Sequence, residues 1–138
     1  MTRFVAWSLH LAAFCAGLTG LVYGVMRFFL EPADEFSVLN HPQEPQWKAA
    51  HIVLSPLLLF TCGLIWRAHV WARWKSGQQE RRWTGVALLV LLGPMAASGY
   101  LLQISEGESM RLLWSWTHAV TGTAWTLAYA VHLFSRDD

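Results

Sequence analysis

Six histidines are the residues in this chain whose positions suggest chemistry. Two of them, His118 and His132, lie in the run Trp114 to Leu133, WSWTHAVTGTAWTLAYAVHL, which contains no Lys, Arg, Asp or Glu. An imidazole in such a run is costly in hydrocarbon, so it belongs on an interior face, where it usually has a role. The spacing of fourteen residues gives ~1400° of helical turn, roughly 40° short of four turns, and ~21 Å along the axis. Both rings therefore share a face, one near each end of the run, as two stacked sites would require. Neutral imidazole is a good axial ligand for haem iron. A pair of b-type haems is the chemistry this spacing points to.

The elements that would position these rings are apolar runs. The chain has 138 residues, 54% of them hydrophobic and 14% charged, with nine Trp. That length sets one domain, and that composition is not one of a soluble domain. Four runs, at about 4–30, 49–70, 83–102 and 112–134, are each close to the ~20 residues an α-helix needs to cross a bilayer. The first is too long for the apolar part of a signal peptide. Phe14 also spoils the only cleavage-like stretch, AAFC at 12–15, so a retained span is expected. Pro56 in the second run and Pro94 in the third predict kinked helices. Pro32, Pro42 and Pro45 mark 31–47 as the longest loop. The expected fold is all-α and integral to the membrane: a four-transmembrane-helix up-down bundle with haems between helices.

Charge sets the expected orientation. Basic residues gather at Arg3, in the connector at Arg67, Arg73, Lys75, Arg81 and Arg82, and at Arg136, while the loops at 31–47 and 104–111 are acidic. The positive-inside tendency places both termini and the connector in the cytoplasm. Trp66, Trp71, Trp74 and Trp83 sit among those cations like an interfacial belt. A net charge of +1 without a basic tail gives no reason to expect nucleic acid.

On that topology the histidines form two layers. His51 and His118 lie near the outer ends of the second and fourth runs, and His10, His69 and His132 near inner ends. The outer pair is His51 with His118. In the inner layer His132 pairs with either His10 or His69. His51 and His69 are eighteen residues apart, five full turns and ~27 Å, which overshoots the His118–His132 separation by about one turn. Gly17 and Gly24 follow His10 by seven and fourteen residues, and Gly122 lies one turn beyond His118. Such positions let a porphyrin approach a helix, or simply let helices pack. His41, in the long loop, is expected to be solvated or interfacial. Cys15 and Cys62 sit in apolar runs without a CxxC or CxxCH, so zinc, thioredoxin-like and covalent haem chemistry are unsupported.

This pattern of spans, with one His early in the first, one at the start of the second and H-x13-H in the fourth, resembles the membrane cytochrome b subunits of formate dehydrogenases and nickel–iron hydrogenases. Bacterial cytochrome b561 proteins are similar. The resemblance implies ligands from the first, second and fourth spans: His10 and His132 for the cytoplasmic-side haem, His51 and His118 for the periplasmic-side haem. It also implies a bacterial inner membrane, quinone near the inner haem, and a redox partner subunit on the outer face. His69, Arg67 and Arg73 are candidates for the quinone side by location. The chain departs from that group in its shortness and in the extra His69. Two other functions fit the residues. One is a stand-alone oxidoreductase of the same fold acting on quinone or superoxide. The other is a haem-free metal or proton transporter or assembly protein, which lacks the intramembrane Asp or Glu relay such pathways often use. There is no P-loop, dinucleotide-binding glycine signature or HExxH.

Overall fold

A computed structural model describes residues 2–135; Arg136, used above for orientation, lies outside them. Every regular element among the described residues is helical. Helix α1 spans Arg3–Phe29 and α2 spans Glu44–Ile65. A π-helical segment, Trp66–Trp71, follows, then the short α3, Ala72–Ser76. Helix α4 spans Arg82–Ile104 and α5 spans Glu108–Phe134. The chain divides into two compact units, Met1–His69 and Val70–Asp138.

Local chemistry explains the boundaries. Thr2 caps α1 by accepting the Val5 N–H at 3.4 Å, and α1 ends three residues before Pro32. Helix α2 starts at Glu44, five residues ahead of the expected 49, because Pro45 falls in its first turn. There the missing N–H costs nothing, so this proline starts a helix rather than prolonging the loop. The helical path also runs past the expected 70 to Ser76, and Gly77 ends it in the left-handed region at φ 69°. Helix α5 begins at Glu108, whose carboxylate complements the positive end of the helix dipole.

Among the described residues three segments are long and apolar enough to cross a membrane: α1, the continuous Glu44–Ser76 and α4. Helix α5 was expected to be a fourth. At 27 residues it has the length, but its threonines, two histidines, Glu108 and Arg111 dilute its apolar character. Large apolar side chains on the spans face outward, among them Phe14 (65% exposed), Val53 (71%) and Phe60 (65%). Such surfaces suit a bilayer, which solvates them as well as a protein core would.

Each unit is an antiparallel helix pair. In the first, α1 packs on α2 through small residues, with Ala12, Ala13, Ala16 and Thr19 buried. Small side chains let helix backbones approach closely where no hydrophobic effect drives them together. In the second, α4 packs on α5, with Ser98 and Trp125 the most buried residues.

Candidate functional site

Three histidines are seated in the same manner, each against the neighbouring helix of its own unit. His51, on α2, points its Nδ1 at the Ala16 carbonyl of α1 (3.1 Å) and at Thr19 Oγ1 (3.2 Å). A carbonyl can only accept, so Nδ1 carries the proton and donates it. The Thr19 hydroxyl spends its own proton on the carbonyls of Cys15 (2.7 Å) and Ala16 (3.2 Å), which leaves its oxygen as a second acceptor. The His51 ring lies flat enough on α1 that a Cβ at Gly20 would stand 2.8 Å from its Cε1. A side chain there would push the ring off its seat, so the glycine is what lets it sit this close.

His118, on α5, repeats this against α4. Its Nδ1 donates to the Met95 carbonyl at 2.9 Å, with Ser98 Oγ at 3.5 Å. Ser98 is 1% exposed and donates to the Pro94 carbonyl at 2.6 Å. A Cβ at Gly99 would stand 2.9 Å from His118 Cε1. His132 is seated one layer along the same helix pair. Its Nδ1 lies 2.8 Å from Thr84 Oγ1, whose proton goes to the Arg81 carbonyl at 3.0 Å, so the hydroxyl oxygen accepts from Nδ1–H. The glycine here, Gly85, would bring a Cβ to an ordinary 3.7 Å from Cε1.

Thus three Ser/Thr-Gly pairs, Thr19-Gly20, Thr84-Gly85 and Ser98-Gly99, hold three histidines with one tautomer. With the proton fixed on Nδ1, the lone pair sits on Nε2, the form in which imidazole ligates a metal. Ordinary metal-binding histidines are oriented by such a second hydrogen bond. At His51 the Ser55 hydroxyl approaches Nε2 to 3.4 Å, but its proton goes to the His51 carbonyl at 2.6 Å.

Helix α4 has no histidine, and sequence reasoning gave it no part in a site. It supplies two of the three seats. A signal was present: Thr84-Gly85 and Ser98-Gly99 are fourteen residues apart, the same interval as His118 and His132. Trp125 was missed as well. It lies seven residues from each of those histidines, ~20° off their face by helical phase. It is 4% exposed, stacked on Tyr129 at 5.2 Å, and its indole N–H is buried with no hydrogen-bond partner among the described residues. A buried donor left unpaired is costly and points to a missing acceptor.

The other expected residues are placed as follows. His10 is half-buried on α1, with the Trp7 ring edge-on at 6.0 Å. His69 is half-buried in the π-helical segment. The widened π turn breaks the five-turn register that aligned His69 with His51, so the shared face expected from an unbroken α-helix does not hold. Of the glycines, Gly17 is half-buried, Gly24 has nothing within 4 Å of a Cβ position, and Gly122 meets only Met95 Cγ at 3.9 Å. Arg67 is exposed and Arg73 half-buried. Near them Lys75 sits over Trp71 at 5.4 Å and Arg82 over Trp74 at 5.1 Å, as interfacial cations and aromatics pair. His41, expected to be solvated or interfacial, is half-buried.

Among the described residues no cluster of three or more His, Cys, Asp or Glu could hold a metal ion on side chains alone. Histidines held singly, each with one tautomer, match a group that brings its own equatorial ligands and takes axial imidazoles from the protein, as haem does. Compared with known protein families, curated proteins and solved structures, the chain matches none.

Proposed function

We propose that this chain is a di-haem b-type membrane cytochrome that moves electrons between a quinone pool and a redox partner, as a subunit of a larger complex. The observation that carries the reading is the shared seating of His51, His118 and His132, each with its Nδ1 bonded to the neighbouring helix and so with its tautomer set, in a chain with membrane-length helices. Bound haem supplies a one-electron iron couple. The protein's part is to hold and tune. Ala16 and Met95 carbonyls and the Thr84 hydroxyl draw on the Nδ1 protons, which makes each imidazole a stronger donor. Gly20 and Gly99 keep the rings against their helices. The apolar outer surface keeps water from the ligands.

In this reading His51 and His118 ligate one haem, and His132 with His10 the other. His69 is the alternative partner for His132. The acidic loop at 31–47 is the surface for a partner subunit. The location is a bacterial inner membrane with both termini in the cytoplasm, which reporter fusions at each terminus test. The deciding experiment is a reduced-minus-oxidised optical spectrum of the detergent-purified chain with pyridine haemochrome quantification. Two b-type haems per chain are expected. A chain supplied with haem that binds none refutes the proposal and leaves metal or proton transport as the reading to pursue.

A further inference from the structure

Helix α3 and the start of α4 gather cations and indoles on one small surface. Trp71, Trp74 and Lys75 are spaced three and four residues apart along one helical turn, so they share a face. Lys75 Nζ lies over the Trp71 ring at 5.4 Å. The turn that follows is closed by the Gly77 N–H on the Trp74 carbonyl (3.3 Å) and by the Arg82 N–H on the Gln79 carbonyl (3.1 Å). It brings the Arg82 guanidinium back over the Trp74 ring at 5.1 Å. Residues 71–83 hold four cations, Arg73, Lys75, Arg81 and Arg82, against one acid, Glu80. The indoles remain open, with Trp74 57% and Trp83 85% exposed.

We propose that this surface binds the headgroup of an anionic phospholipid, with its phosphodiester taken by Lys75 and Arg82 and its glycerol and first acyl carbons against the indoles. The depth fits. Helix α4 has 23 residues, ~35 Å of rise against a hydrocarbon core of ~30 Å, so Arg82 at its end stands at headgroup level. The Trp74–Arg82 contact ties α3 to that level. Charge selects the lipid. A zwitterionic headgroup offers the same phosphate but carries a cation of its own, which these side chains repel. Each Lys or Arg near an anionic surface is worth about fivefold in association. The indoles select a lipid over a water-soluble anion. Inorganic phosphate satisfies the cations and leaves the rings in water, whereas a lipid covers both.

The positive-inside tendency counts charges and is indifferent to where the indoles stand. Here each of two cations rests on a ring, which limits the side-chain freedom lost when a phosphate binds. The rings therefore set the affinity along with the charges, and that separates a built site from a merely basic connector. No residue of this surface is a proposed haem ligand, so the proposal stands without the haem reading.

The test places the full chain in phosphatidylcholine vesicles with a trace of spin-labelled phosphatidylglycerol or spin-labelled phosphatidylcholine. The motionally restricted fraction of the electron paramagnetic resonance spectrum gives the relative association of the two lipids. Phosphatidylglycerol is expected to be preferred roughly fivefold or more, and Lys75→Gln with Arg82→Gln to remove most of that preference. Lys75→Arg with Arg82→Lys, which exchanges the cations, keeps it. Trp71→Leu with Trp74→Leu leaves every charge in place and lowers the preference about two- to fivefold. Lys48→Gln with Arg111→Gln, which removes two exposed cations elsewhere, leaves it unchanged. Circular dichroism checks that each variant keeps its helices. Equal restricted fractions for the two lipids, an equal loss in the Lys48 and Arg111 variant, an unaltered preference in the indole variant, or displacement by millimolar inorganic phosphate overturns the proposal.

Discussion

Gly99→Ala adds one methyl group at the point where α4 meets the His118 ring. The new Cβ would stand 2.9 Å from His118 Cε1 and 3.1 Å from Nδ1. A carbon–carbon contact is comfortable at roughly 3.5–4.0 Å, so the ring must retreat by about half an ångström or more. The Nδ1–H···O bond to Met95 is 2.9 Å long, and a retreat of that size stretches it to the limit of a hydrogen bond. The expected cost is ~1 kcal/mol for the weakened bond, with ~1–3 kcal/mol for overpacking. Loss of an orienting bond behind a metal-ligating histidine costs about 10–100-fold in affinity for the bound group. Gly122→Ala is the control, because its Cβ meets only Met95 Cγ at 3.9 Å, an ordinary contact. The assay is haemin titration into the apo chain in detergent, read at the Soret band, with circular dichroism as the folding control. Gly99→Ala should lose one high-affinity equivalent while Gly122→Ala keeps both. Equal titrations for Gly99→Ala and the parent chain would falsify the seating argument.

Three further outcomes are expected. His118→Ala removes one haem per chain and leaves the other, while His41→Ala leaves the haem spectrum unchanged; both are read by pyridine haemochrome. His10→Ala removes the haem shared with His132 and His69→Ala does not; the opposite result reassigns the partner of His132. Thr84→Val keeps the shape and deletes the acceptor of the His132 Nδ1 proton, which weakens the imidazole as a donor to ferric iron. The potential of one haem should rise by up to ~40 mV, the equivalent of ~1 kcal/mol for a one-electron couple, and redox titration shows whether it moves.

The helices were legible in the sequence because their signal is local. Runs near membrane length, Pro32 just past α1 and the shared face of His118 and His132 follow from 3.6 residues per turn and from what a bilayer tolerates. Pro45 misled because a proline reads as a loop residue until its place in the first turn is known. Helix α5 was recognised as a helix, but it is more polar than a span needs to be, since two of its positions are histidines held against α4 and three of its threonines spend their hydroxyls on carbonyls of its own turns.

By itself the sequence determined the apolar helices and which histidines could lie within them. Only the tertiary structure decided how those rings are held. His51 meets Thr19 across 32 residues of chain, His118 meets Ser98 across 20, and His132 meets Thr84 across 48. Those contacts depend on which faces of two helices pack together and in what register, and no periodicity within one helix encodes that. The π turn at Trp66–Trp71 moved His69 out of register with His51 for a similar reason.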